Sequence, residues 1–115
     1  MIELTVLNYL QACFTTSAGS IPVYMETPVE MPETFILVEK TGSGVTNKVN
    51  RATFAIQSYA PTLYEAAALN EEVKAFLDAM PDTQPVFRSK LNSDYNYTDT
   101  STKRYRYQAV YNITF

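Results

Sequence analysis

From Arg104 to Phe115 the sequence sets Tyr105, Tyr107, Ala109, Tyr111, Ile113 and Phe115 at alternate positions, running up to the final residue. Side chains two apart on an extended backbone share a face, so the run predicts a strand with one apolar, tyrosine-rich side packed into a sheet. A strand of this kind needs partners, and that requirement governs how the rest of the chain is read.

The 115 residues have room for one domain, 1–115, with one modest core that is large enough to fold alone. Apolar residues make up 46% and charged residues 18%, a charged share low enough to suggest that some surface is meant for contact. Twelve acidic residues against nine basic ones give a net charge of -3, which supplies no general field for neutralising phosphates. Sequence-specific nucleic-acid binding is therefore not expected. The single cysteine, Cys13, has no internal disulfide partner, and its place among Val6, Leu10 and Phe14 suggests a small buried apolar residue. No apolar run approaches the roughly 18 residues that span a bilayer, and Glu3 stands where a secretory leader would carry positive charge. The expectation is a soluble, unsecreted protein without a membrane partner.

Ile2 to Phe14 places Ile2, Val6, Leu7, Leu10, Cys13 and Phe14 at three-to-four spacing, the pattern of an amphipathic helix. The stretch Thr15 to Ser20 breaks it. Ile21 to Met25 reads as a short strand that Pro22 and Pro28 confine to a sheet edge. Glu26, Glu30 and Glu33 with Pro28 and Pro32 read as an exposed acidic connector. Phe35 to Val38 is apolar on both faces, which predicts a central strand covered on both sides, by helices or by a second chain. Gly42 to Asn50 reads as a flexible turn, and Arg51 to Ala60 as the returning strand, with Val38 opposite Phe54, Ile36 opposite Ile56 and the turn centred at Thr46.

Pro61 suits a first helical turn, and Thr62 with Glu65 makes a capping-box pattern. Leu63, Ala66, Leu69, Val73, Phe76, Leu77 and Met80 then form the apolar stripe of a second helix, with Glu65, Glu71, Glu72, Lys74 and Asp78 on its wet side and Pro81 at its end. A second hairpin centred at Thr100 would set Tyr95 opposite Tyr105, Leu91 opposite Ala109 and Phe87 opposite Ile113, with Asp94 against Arg106 on the outward side. The fold class predicted is α+β in the order α-β-β-β-α-β-β, a mainly antiparallel sheet with two helices packed against it.

The chain contains no histidine, which removes the commonest general base, the usual zinc ligand and every Ser-His or Cys-His pair. Glu71 and Glu72 are neighbours, yet successive helical positions point apart. Gly42 and Gly44 precede a strand, whereas a phosphate-cradling loop precedes a helix. No catalytic, metal or cofactor-binding residue is therefore predicted. Arg88, Lys90, Lys103, Arg104 and Arg106 interleave with tyrosines like a single-strand binding platform, but the predicted register sends the rings to one face and most of the cations to the other. The remaining feature is the count of nine tyrosines, a residue favoured in cores and at subunit boundaries alike.

The segments Leu63 to Lys74, Lys90 to Thr100 and Arg104 to Thr114, with the order of elements and the Gly-rich segment between the second and third strands, resemble tail terminator or tail completion proteins of long-tailed bacteriophages, among the small tail proteins of Gram-positive prophages. The resemblance implies a non-enzymatic virion protein that forms a ring, typically a homohexamer, capping the tail tube and docking the head connector. Its partners would be further copies of itself, the tail tube protein and the head-tail connector protein. Its place would be the virion tail, after assembly in the bacterial cytoplasm. An acidic protein would also suit a channel through which DNA slides. In such a ring the acidic connector Glu26, Glu30 and Glu33 could meet Arg88, Lys90 and Arg104 of a neighbour, with the Gly42, Gly44, Lys48 and Arg51 arm bridging subunits.

Overall fold

The computed structural model describes residues 1–15, 20–82, 86, 88–99, 101–102 and 104–115. Helix α1 (Ile2–Thr15) leads into strand β1 (Val23–Tyr24), then β2 (Phe35–Thr46) and β3 (Val49–Ala60). Helix α2 (Leu63–Ala79) follows, continued by a single 3-10 turn (Met80–Asp82), and β4 (Arg88–Asn96) and β5 (Tyr105–Thr114) close the chain. The class is the α+β one predicted. One five-stranded sheet runs in the order β1-β2-β3-β5-β4, antiparallel except where β1 lies parallel to β2. The closing tyrosine-rich run is an interior strand, paired with β3 on one side and β4 on the other.

Both helices pack on one face of the sheet. Ile2, Val6, Leu10 and Phe14 repeat at four-residue spacing along α1 and bury that stripe against Ile36, Val38, Phe54 and Ile56. Leu69, Val73 and Leu77 of α2 join the same cluster, as do Ala109, Tyr111 and Ile113 of β5. Each fully buried aliphatic side chain contributes about 1.5–3 kcal/mol. Polar ties fix the helices in place: Tyr9 Oη donates to Phe76 O at 2.6 Å, Gln11 Nε2 donates to Val23 O at 3.1 Å, and Glu3 pairs with Lys40 at 3.1 Å. Cys13 is half-buried at the margin of this core. Burial raises its thiol pKa above the ordinary value.

Helix α2 starts at Leu63, with Thr62 as its cap: Thr62 Oγ1 accepts from Glu65 N–H at 3.1 Å and donates to Glu65 Oε2 at 3.2 Å. Pro61 therefore precedes the cap instead of filling the first turn. Leu63, assigned to the apolar stripe by its spacing, is 40% exposed, while Asn70 is buried.

The hairpin registers differ from those predicted. Val38 pairs with Ile56 and Ile36 with Ser58, a shift of two residues from the predicted partners that preserves which side each residue faces. The supposed flexible turn at Gly42 to Asn50 is strand on both sides of a two-residue turn, Asn47-Lys48, both with positive φ (51° and 64°). A bulge at Thr41, between Lys40 paired with Phe54 and Gly42 paired with Thr53, absorbs one residue.

In the second hairpin a bulge at Asn92, between Leu91 and Ser93, does the same. Leu91 pairs with Tyr111 in place of Ala109, and Tyr95 with Gln108 in place of Tyr105. Beyond the bulge the parity of β4 reverses. Asp94, predicted to meet Arg106 on the outward side, pairs with Ala109 and turns to α2, where Asn70 Nδ2 and Lys74 Nζ donate to it at 2.9 and 3.0 Å. The predicted turn centre Thr100 and the pairing of Phe87 lie outside the described residues.

Candidate functional site: the sheet face without helices

The doubly apolar stretch Phe35 to Val38 is covered by helices on one side only. On the other, Phe35 and Leu37 form a small cluster with Tyr59, edged by Tyr24. Phe35 stacks on Tyr59, centroids 4.4 Å apart and planes 6° from parallel. The Arg104 guanidinium lies 5.7 and 5.6 Å from these two ring centroids and donates to Pro32 O at 3.0 Å, so it covers the rings and holds the acidic connector.

Next to this cluster a polar ladder crosses three strands. Arg106 Nη1 donates to Tyr59 Oη (2.6 Å), which donates to Gln57 Oε1 (2.9 Å); Gln57 Nε2 donates to Gln108 Oε1 (3.0 Å), and Gln108 Nε2 donates to Tyr95 Oη. Both glutamines are buried, and each amide has its oxygen and nitrogen used in one direction along the chain of bonds. The Arg106 guanidinium also sits between Tyr59 and Tyr97, 5.5 and 4.4 Å from their centroids. Cations and rings thus share this face, contrary to the predicted separation; the Asn92 bulge puts Tyr95 there. The arginines themselves occupy the ring surfaces on which bases would stack.

Toward the hairpin tip the same face becomes basic. Arg51, Thr114 and Arg88 stand in one row across β3, β5 and β4, and Thr53, Asn112 and Lys90 in the next. The Thr41 bulge brings Gly42 opposite Thr53 and Gly44 opposite Arg51, extending both rows onto β2. Arg51, Arg88, Lys90, Thr53, Asn112 and Thr114 line an open groove of about 500 Å³. Thr53 Oγ1 donates to Asn112 Oδ1 at 3.0 Å, tying the floor together. Adjacent strands lie about 4.8 Å apart, so Arg51 and Arg88 are held about 10 Å from each other by the sheet.

Among the described lysines and arginines, those without an ion pair or side-chain hydrogen bond are Lys48, Arg51, Arg88 and Lys90, all at this end. Lys40 and Lys74 are ion-paired, and Arg104 and Arg106 are bonded within the opposite half of the face. Lys103 lies outside the described residues. Glu26, Glu30 and Glu33 are exposed on the connector between β1 and β2 and form no ion pair with a described residue. The structure therefore brings Gly42, Gly44, Arg51, Arg88 and Lys90 together, places Lys48 at the tip, and separates Arg104 from them. Thr53, Asn112 and Thr114 were not singled out by sequence; their position between the cations follows only from the register. The Gln57–Gln108 pair was missed for the same reason.

No family model and no curated protein matches this chain. Among the described residues no group of His, Cys, Asp and Glu side chains has the geometry to hold a metal ion, and no helix is long and apolar enough to cross a membrane.

Proposed function

We propose that this chain is a structural protein of a long-tailed bacteriophage, a tail terminator or tail completion protein whose copies form a hexameric ring. The ring caps the tail tube and presents a docking face to the head connector. It works in the virion tail after assembly in the host cytoplasm, by binding and without catalysis, cofactor or sequence-specific nucleic acid.

The observation that carries this reading is the distribution of unengaged charge on a one-sided sheet. Unpaired cations gather at the hairpin end, three exposed carboxylates lie on the connector, and the helices keep to the other face. A subunit with unlike, complementary ends assembles by heterologous contacts, which close into rings when the rotation permits. The segments that resemble tail proteins supply much of this architecture, since they make up most of α2 and nearly all of β4 and β5.

The same geometry would serve another phage neck or minor tail protein, and binding separates the two. The terminator reading predicts that the purified protein attaches to the ends of isolated tail tubes in electron micrographs, as a ring with a central opening. Attachment to portal or connector rings alone would assign it to the neck, and attachment to neither would remove the phage reading. A major tail tube gene immediately downstream would favour the terminator; a portal gene alongside would favour the connector.

A further inference from the structure

The groove carries three unpaired cations and the connector three unpaired carboxylates, and among the described residues no ion pair joins the two sets within one molecule. Glu33 lies just before Phe35, and Gly44, opposite Arg51, is nine residues further along β2, about 30 Å at the rise of an extended strand. Beside the groove, Gly42 directly follows the Thr41 bulge and Gly44 stands two residues further on. A Cβ built at Gly42 or Gly44 would have nothing within 4 Å, and neither residue has a positive φ. Glycine within a strand weakens it, and one reason to keep it is the close approach of another backbone. The Thr41 bulge turns both glycines to the side that bears Arg51, so the bare strip and the cations form one surface.

We infer that this surface receives the connector of a second copy of the chain, with Glu26, Glu30 and Glu33 paired to Arg51, Arg88 and Lys90 and the connector backbone passing beside Gly42 and Gly44. The connector is available for this: its three glutamates are exposed, and the bond from Arg104 to Pro32 O fastens its end to its own subunit. The contact is heterologous and leaves one free groove and one free connector on every pair, so it propagates head to tail. It rests on the ring proposed above only for closure of that chain of contacts.

Sedimentation velocity over a concentration series at low salt tests the contact, using the wild type, Arg88→Glu/Lys90→Glu, Glu26→Lys/Glu30→Lys, and an equimolar mixture of the two variants. Circular dichroism verifies that each variant is folded. Each variant alone should associate at least about tenfold more weakly than the wild type, and the mixture should regain association because every connector then finds a groove of opposite sign. A wild type that stays monomeric throughout, variants that associate as the wild type does, or a mixture that does not recover would each overturn the inference. So would a groove that binds duplex DNA through Arg88 and Lys90 while self-association ignores them. Rings that persist in the charge variants would remove this contact but keep the ring; charge-dependent assembly that ignores tail tubes would keep the contact and remove the tail-capping role.

Discussion

Tyr111 joins the sheet to α2 through one buried hydroxyl, which donates toward Asp78 Oδ1 (2.8 Å) and Lys74 O (3.2 Å). Burial first, then the Asp78 carboxylate, raises its pKa well above the ordinary 10.0. Folding therefore favours the protonated phenol. Its contribution to stability is complete below about pH 10 and is lost as pH climbs through the folded value. The Lys74 pKa is raised by Glu71 and then Asp94, which works in the same direction over the same alkaline range. Tyr111→Phe should lower stability by about 1 kcal/mol near neutrality and make the loss above pH 10 shallower, as read from urea unfolding at a series of pH values. An unchanged alkaline slope would refute the assignment. Gln108→Ala removes a middle rung of the ladder and leaves Gln57 Nε2 without its acceptor, so it should cost about 1–3 kcal/mol in the same measurement. Ser58 makes the opposite case: its Oγ is buried on the helix side and finds no hydrogen-bond partner among the described residues. Ser58→Ala should be neutral or stabilising, and a loss above about 1 kcal/mol would show an unrecognised bond.

At the scale of elements, the hairpin turn is the place where the chain departs from local preference. A two-residue turn with both φ positive favours Asn-Gly, and here the second position is Lys48 at φ 64°. Lys48→Gly should raise the urea midpoint by an amount equivalent to about 1 kcal/mol without changing the slope; a lower midpoint would contradict the turn geometry. The elements themselves were readable because their signals are local: four-residue apolar spacing for α1, the Thr62–Glu65 cap for α2, strict alternation for β5. The registers were not. Gly42 beside Thr41 is only a weak bulge signal and the residues around Asn92 carry none, yet each inserted residue reverses which face the following positions take. That single effect moved Asp94 to α2, moved Tyr95 to the open face, and gathered Gly42 and Gly44 beside Arg51. Candidate contact residues could thus be named singly from sequence, while their grouping, and the loss of Arg104 to its own connector, depended on a register that sequence alone did not yield.

Across the whole molecule, about 44 Å in its longest dimension, internal pairing is concentrated in the helix layer and the connector half of the open face. Left over among the described residues are unpaired cations at the hairpin end and unpaired carboxylates on the connector, at Glu39 in mid-β2 and at Glu72 on α2. An association built on exposed ion pairs should weaken as salt rises from about 0.05 to 0.5 M, over which the screening length shrinks severalfold. If the chain builds a closed ring, its mass by light scattering coupled to size-exclusion chromatography across concentration, at low and high salt and with tail tubes added, should be that of a discrete hexamer, favoured by low salt or by the tubes. A species that remains a monomer in every condition, tail tubes included, would contradict the ring.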